Sequence, residues 1–282
     1  MDFRNAKELL KVCQEQGLSI SAVMLQRELT EGEQDPEETD RKMDRVLEIM
    51  KSAASTPIHT PVKSMGGLIG GEAKKISDHK DTGKGLCGDL LERAVIYAMA
   101  TLETNASMGV IVASPTAGSA GIVPGLLLAL QETYDLSDEQ IKQGLYNAMR
   151  NATVAGAVGG CQAEVGIASA MAASATVELM GGSPEQSLAA ASTVLMNMLG
   201  LVCDPVGGLV EYPCQNRNAA GVANATIAAE IALSGVRQLI PFDEMLEAVY
   251  TVGKRLPAEL RETALGGCAT TPSACAACHM CD

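Results

Sequence analysis

The sequence predicts a mainly α-helical fold, a single large helical domain whose glycine-rich loops carry the candidate ligands. The chain has no Trp, two Phe and five Tyr among 282 residues, whereas β-sheets favour aromatic side chains. Strong helix formers, among them Ala, Leu, Met, Glu and Gln, occur in long runs. A hydrophobic fraction of 47% is enough to bury a sizeable core. These features together indicate helices packed around one core.

Two sequence patterns mark helix starts. Ser137 and Ser183 are each followed three residues later by Gln, the pattern of a capping box, and Pro184 takes the first helical position of the second. This second helix is predicted to end at Gly200, because glycine readily adopts the left-handed conformation that closes helices. Cys203 is therefore predicted to lie just beyond a helix end.

The chain divides into three predicted parts. Residues 1–55 are predicted to form an N-terminal helical arm, in which apolar residues recur at three- and four-residue spacing, namely Met43, Val46, Leu47 and Met50. Residues 56–267 are predicted to form one helical domain, because no repeat or obvious linker interrupts them. Residues 268–282 are predicted to form a cysteine-rich tail.

A long uncharged stretch runs from Asn105 to Leu130. Its length would suffice to span a bilayer, but its glycines and prolines would break a spanning helix and expose backbone groups to lipid. The stretch is therefore predicted to be a buried glycine-rich loop followed by a core helix that starts near Pro124. No membrane association is expected.

Charge and cysteine content restrict the function. A formal charge of -13 with 2% aromatic residues argues against nucleic-acid binding, which needs clustered Lys and Arg or stacking side chains. The charged segment from Met1 to Gln14 lacks the apolar core of a signal peptide, so a cytoplasmic location is expected. In a reducing compartment, the nine cysteines are expected to serve metal binding or catalysis rather than disulfides.

Three interior cysteines are predicted to lie at junctions between loops and helices. Cys161 precedes an Ala-rich helix predicted from Glu164 to Met180, and Cys214 precedes a helix predicted to begin near Asn216. Cys203 follows a helix end. A helix N-terminus favours negative charge and lowers thiol pKa values, so two of the three positions suit thiolates.

Two interpretations of these thiols are open. Any one of them alone could be a small buried side chain. Their glycine-rich and polar flanks favour ligand loops instead. No His lies in the interior block to complete a tetrahedral zinc site, because His59, His79 and His279 are outside it. Three thiolates alone suit a [4Fe-4S] cluster whose fourth iron is open to act as a Lewis acid.

Four segments resemble the alpha chain of the iron-sulfur L-serine dehydratases: Gly109–Gly125, Gly159–Gly166, Leu201–Glu211 and Arg261–Gly267. The resemblance covers nearly the whole chain and includes the intervals of 41 and ten residues that separate Cys161, Cys203 and Cys214. It implies a mainly helical domain in which these three cysteines bind a [4Fe-4S] cluster. It also implies a smaller beta subunit that completes the active site.

The resemblance implies conversion of L-serine to pyruvate and ammonia. The open iron would assist the elimination, without pyridoxal phosphate. Thr116, Gly118 and Ser119 would bind the substrate carboxylate, as loops at helix N-termini bind anions, although a tight turn into the next helix is the structural alternative. No general base is evident in the chain, and the family's Ser-Ser-His-Thr motif, which belongs to the beta chain, is absent. The partner is therefore predicted to supply a histidine.

Two features depart from the family pattern. The segment from Ser137 to Asn151 is shorter than expected by roughly two helical turns. The tail carries Cys268 and the spacing Cys-x-x-Cys-x-x-Cys, which suits a ferredoxin-type cluster or, with His279, zinc. A redox-sensitive extension is the alternative. Cys281 is the predicted fourth ligand, since related single-chain dehydratases place a C-terminal cysteine on the open iron.

Two competing functions stay open at the level of sequence. The same iron-sulfur cluster and the same elimination could remove sulfide from L-cysteine, because only the leaving group differs. A protein of another class, a non-catalytic iron-sulfur or zinc carrier or sensor, could use the tail for metal binding.

Overall fold

The computed structural model describes residues 3–31, 35–149 and 159–278. Over these ranges the chain forms twelve α-helices and no β-strand, which confirms the predicted helical domain. The helices are α1 (Ala6–Gln16), α2 (Ile20–Glu31), α3 (Pro36–His59), α4 (Glu72–Asp81), α5 (Gly88–Ala106), α6 (Ile122–Tyr134), α7 (Asp138–Met149), α8 (Cys161–Leu179), α9 (Pro184–Asn197), α10 (Cys214–Leu233), α11 (Phe242–Arg255) and α12 (Pro272–Cys278). No described helix is both long and apolar enough to cross a membrane.

Helices α6 and α8 form the centre of the core. All residues from Ile122 to Leu130 in α6 are buried. In α8, every residue from Cys161 to Val177 is buried except Glu164. Because most of these α8 residues are Ala, Gly or Ser, α7, α9 and α10 can pack closely around it. A buried helix explains the uncharged run in the sequence.

The loop before α6 differs from its prediction. The core helix is confirmed, although it begins at Ile122 rather than near Pro124. The preceding loop was expected to be buried, but residues 108–110 are exposed. A glycine-rich sequence permits a tight turn but does not determine whether the turn is buried. These exposed residues lie at the surface near the site described below.

The first three helices belong to the same hydrophobic core. Leu9, Ile20 and Leu47 are buried in one cluster with Leu126 of α6. Residue 55 itself lies inside α3. The division of the chain at residues 55 and 267 stays a prediction about folding units.

The capping boxes are confirmed. The Ser183 side chain accepts from the Gln186 backbone while the Gln186 side chain accepts from the Ser183 backbone, and Ser137 makes the same reciprocal pair with Gln140. The predicted end of α9 at Gly200 is wrong by three residues, since the helix stops at Asn197. The Gly200 N–H instead donates to Gln162 Oε1 at 2.8 Å, a tertiary bond that draws the chain toward α8.

Helices α8 and α10 begin earlier than predicted, at Cys161 rather than Glu164 and at Cys214 rather than near Asn216. The two helices pack closely at Gly221 of α10 and Ser169 of α8. A Cβ added to Gly221 would lie 2.7 Å from Ser169 Oγ, too close for any side chain unless the neighbouring atoms shift. Two of the three cysteines are therefore first helical residues rather than loop residues. This correction also places the side chains one turn further along each helix beside the thiols.

Candidate metal centre

Three buried cysteines lie near the beginnings of α8 and α10. Cys161 and Cys214 are the first residues of these helices, and Cys203 lies in the loop that follows α9. Their exposed fractions are 1% for Cys161, 7% for Cys214 and 3% for Cys203. Among the described residues, one group of His, Cys, Asp or Glu donors is compact enough to hold a metal. The donor atoms of Cys161, Glu164 and Cys203 lie within 4.8 Å of one another.

Two backbone hydrogen bonds to residues 260–262, a segment near the C-terminus, hold Cys203 in place. Its N–H donates to the Leu260 carbonyl at 2.8 Å, and its own carbonyl accepts from the Glu262 N–H at 2.9 Å. Glu262 has φ 64°, a left-handed conformation that is uncommon for a residue other than glycine. Such conformations persist where the surrounding structure imposes them. Residues 260–262 therefore adjoin Cys203 in the candidate metal centre.

Gly160 lets the start of α8 approach the Cys203 loop. Its φ of 63° and ψ of -160° are accessible essentially only to glycine. A Cβ at this position would lie 3.5 Å from Cys203 Cβ. On the other side, the Gln162 N–H donates to the Leu201 carbonyl at 3.0 Å. The two ligand-bearing segments are thus joined directly.

Arg217 places a positive charge among the thiols. It lies one turn along α10 from Cys214, and its Nη1 is 3.5 Å from Cys161 Sγ. Its Nη2 lies 2.7 Å from Asp204 Oδ1, and Asp204 Oδ2 accepts from the Cys268 N–H at 2.6 Å. Arg217 and Asp204 therefore link Cys161 to the beginning of the tail at Cys268. Asp204 also directly follows Cys203 in the chain.

The thiols differ in their readiness to ionise. A hydrogen bond from Cys203 and the nearby Arg217 guanidinium lower the pKa of Cys161. The same hydrogen bond and burial raise the pKa of Cys203. Burial and the negative charge of Cys161 raise the pKa of Cys214 to about 12. Cys161 is therefore the most acidic of the three thiols, and a metal cation bound by the other two would displace their protons.

Two carboxyl groups near the thiols have pKa values shifted in opposite directions. Burial and the neighbouring Glu164 raise the pKa of Glu262. Burial alone would raise the pKa of Asp204, but the hydrogen bond from the Cys268 N–H and the charge of Arg217 outweigh it and lower the pKa. Asp204 is thus the more acidic of the two side chains.

The predicted substrate loop adjoins the thiols. Thr116 Oγ1 donates to Glu164 Oε1 at 2.6 Å and lies 3.1 Å from Ser119 Oγ. The Gly118 carbonyl accepts from Asn218 Nδ2 at 2.8 Å, and the same amide group donates to the Cys214 carbonyl. The structure therefore brings Thr116, Gly118 and Ser119 to the metal centre. Their binding of substrate stays a prediction.

Four residues of the centre were missed from the sequence. Glu164 and Arg217 follow Cys161 and Cys214 by three positions, a spacing that shares one helix face and could have revealed them. Asp204 directly follows Cys203. Glu262 is joined to Cys203 only through a contact between distant segments, so no local pattern could have identified it.

The tail adds only Cys268 to the described centre. Cys275 Sγ contacts the Ala269 carbonyl at 3.8 Å, and Cys278 Sγ contacts the Cys275 carbonyl at 3.6 Å. His279 and the predicted fourth ligand, Cys281, lie outside the described residues. The shortened segment is described only through Met149, the end of α7.

The fold and the site define a mainly helical protein with a buried, thiol-rich centre that could hold a metal. Residues 15–269 match the family model described as "Serine dehydratase alpha chain". The chain therefore belongs to the serine dehydratase alpha chain family.

Curated relatives agree with this membership. The chain is 48% identical over 278 residues to the probable L-serine dehydratase alpha chain of Bacillus subtilis, covering 96% of this chain and 92% of the relative. It is 45% identical to the L-serine dehydratase alpha chain of Peptoniphilus asaccharolyticus, covering 95% of this chain and 94% of the relative. It is 34% identical to L-serine dehydratase 1 of Escherichia coli, covering 95% of this chain but 61% of that protein.

Proposed function

We propose that this chain is the catalytic alpha subunit of an L-serine dehydratase that converts L-serine to pyruvate and ammonia. It would bind a [4Fe-4S] cluster through Cys161, Cys203 and Cys214 and act with a beta subunit in the cytoplasm. The observation that carries the proposal is the convergence of these buried thiols with the loop of Thr116. The names of the relatives support the substrate.

The donor set fits an iron-sulfur cluster. Three thiols come from separate segments, which lets them approach a polynuclear centre from different directions. Arg217 offsets part of the negative charge that three thiolates bring into a buried site. Glu164 is the fourth nearby donor, and its oxygen is already engaged by Thr116. This arrangement supports three protein ligands to the cluster with one position left for substrate.

The cluster, when bound, supplies an open iron that acts as a Lewis acid on the leaving hydroxyl group. The chain's own residues then bind and orient the substrate. The Thr116 hydroxyl and the loop amides are available for its carboxylate.

The base that removes the α proton is proposed to come from the partner. The two described histidines, His59 and His79, are exposed, and neither belongs to the compact donor group. A histidine suits this step because its pKa lies near neutral pH. The alpha chain alone is therefore expected to bind the cluster without efficient turnover.

Anaerobic reconstitution tests the proposal. The chain is loaded with iron and sulfide, mixed with the beta subunit, and assayed for pyruvate from L-serine, with L-cysteine assayed in parallel. Pyruvate should form faster from L-serine and only when both cluster and partner are present. A zinc-loaded chain is the control. No turnover by the intact, cluster-loaded pair would refute the proposal, and faster release of sulfide from L-cysteine would reassign the substrate.

A further inference from the structure

An exposed apolar surface borders the metal centre. We name it the mouth surface, and its members are Met65, Met108, Val110, Val210, Tyr212 and Leu265. Met65, Met108 and Leu265 are 75%, 79% and 71% exposed. Large apolar side chains that are exposed together mark interaction sites more often than isolated ones do. Contacts around Glu211 and Gly118 bring several of these residues together.

Buried Glu211 holds one part of the mouth surface together. Its side chain is 3% exposed and accepts from Ser64 Oγ at 2.6 Å and from the Gly66 N–H at 2.7 Å. Met65 lies between these two donors, and its own N–H donates to the Ala106 carbonyl at 2.9 Å. Val210 and Tyr212 flank Glu211 in the chain. Met65 therefore lies beside both of them and beside the loop that carries Met108.

The mouth surface reaches the metal centre on two sides. A Cβ added to Gly118 would lie 3.5 Å from Val210 Cγ1 and 3.4 Å from Glu164 Oε1, so Val210 adjoins the donor group. Leu265 lies between Glu262 and Gly267, and a Cβ on Gly267 would meet the Asp204 side chain. Val210 and Leu265 therefore lie near the candidate metal centre, and the hydrogen bonds around Glu211 and Ala106 place Met65 and Met108 on the Val210 side.

The relatives indicate what covers this surface. The match covers 92% and 94% of two relatives named alpha chains but 61% of L-serine dehydratase 1 of Escherichia coli and 61% of the Haemophilus influenzae enzyme. More than a third of each of these longer proteins lies outside the match. Those proteins therefore carry a further segment outside the match.

We propose that the mouth surface is the docking site for the separately encoded beta subunit, the counterpart of that further segment. The inference rests on the proposed function, which requires such a partner. Exposed Met and Tyr side chains are enriched at protein interfaces, and docking here would bury them. It would also shield the opening of the centre from bulk water and place the partner's residues beside Glu164 and Thr116.

A matched set of variants tests the docking site. Met65→Glu/Met108→Glu and Leu265→Glu place charges on the mouth surface, where the side chains make few contacts within the chain. Leu239→Glu is the control, because Leu239 is 93% exposed and follows the C-terminal end of α10, whereas Tyr212 precedes its N-terminal end. A helix of 20 residues, about 30 Å long, lies between these two positions in the chain.

The measurement is the dissociation constant of the cluster-loaded chain for the beta subunit, with circular dichroism and iron content as checks on folding. The mouth-surface variants should bind at least about tenfold more weakly, since a charge forced into an interface centre costs at least this much. Leu239→Glu should bind as the wild type does. Hydrogen exchange of the wild-type pair should protect residues 106–112.

The outcomes separate this proposal from the proposed function. Wild-type affinity in the mouth-surface variants, or protection confined to the region of Leu239, would overturn the docking site even if L-serine turnover is intact. Absence of turnover in a pair that binds through the mouth surface would refute the dehydratase activity and leave the docking site standing.

Discussion

At the scale of single residues, the centre depends on compensating buried charge. Thiolates are costly to bury unless positive groups or metal ions lie beside them. Arg217 meets this need by contacting both Cys161 Sγ and Asp204. Asp204 in turn fixes the guanidinium, which is 15% exposed at its side chain. We propose that Arg217 positions the thiols rather than binding the metal itself.

Replacing Arg217 should weaken cluster retention without unfolding the chain. Arg217→Gln removes the charge that faces Cys161, so iron should be lost about tenfold faster, because residues behind metal ligands commonly change affinity 10- to 100-fold. Arg217→Lys keeps the positive charge, so its rate of iron loss should lie between those of the wild type and Arg217→Gln. The readouts are the iron release rate under a chelator and the electron paramagnetic resonance spectrum of the reduced protein.

The control for Arg217 is Arg93→Gln, which removes an arginine paired with Asp89 and Glu132 away from the thiols. Iron release from this variant should match the wild type. An Arg217→Gln protein with wild-type iron release and an unchanged spectrum would exclude the positioning role.

The three cysteines could be recognised from the sequence, but the charged residues around them could not all be recognised. Cys161, Cys203 and Cys214 stand out because glycine and proline flank them. Arg217 was accessible in principle from its spacing to Cys214. Glu262 was not, because its place depends on how residues 260–262 pair with Cys203 across the fold.

At the scale of elements, helix starts determine the geometry of the centre. The pattern of Ala, Gly and Ser predicted that α8 exists, but not that it begins at Cys161. The reason lies in Gly160, whose left-handed φ turns the chain directly into the helix. Helix boundaries depend on such single conformations and on tertiary bonds, as at Gly200, so periodicity alone misplaces them.

The conformation of Gly160 gives a prediction for α8. Gly160→Ala should destabilise the fold by roughly 1–3 kcal/mol, because an alanine is strained at this φ and ψ. It should also reduce iron loading several-fold, since relief of this backbone strain would move Cys161, the next residue, relative to Cys203. Urea denaturation and iron analysis provide the two measurements.

Gly181→Ala is the matched control for Gly160→Ala. Gly181 follows the other end of α8 at φ 81° and has open space around its Cβ position. This variant should lose about 1 kcal/mol of stability and keep full iron loading. Equal iron loading in both variants would contradict a role for Gly160 in placing the ligands.

At the scale of the whole molecule, one helical core holds the centre at the meeting point of distant segments. The sequence was sufficient to predict the helical class, the core helix α6 and both capping boxes, because each depends on local chemistry. It was insufficient to predict which surfaces stay exposed, as at residues 108–110, because exposure depends on packing. The apolar mouth surface became visible only in the folded chain.

The central claim is that three cysteines bind an iron-sulfur cluster at this centre. Two donor sets compete for this centre. A [4Fe-4S] cluster requires Cys161, Cys203 and Cys214, whereas a single metal ion could use the compact group of Cys161, Glu164 and Cys203. Cys214 and Glu164 therefore distinguish the alternatives.

The direct measurement is the iron and sulfide content of anaerobically reconstituted Cys214→Ser and Glu164→Gln, with Cys13→Ser as the control. Cys13 is buried in α1, outside the donor group. The wild type, Glu164→Gln and Cys13→Ser should each hold about four iron and four sulfide per chain, and Cys214→Ser should lose most of both. Full iron and sulfide in Cys214→Ser, with loss in Glu164→Gln, would contradict the three-cysteine cluster.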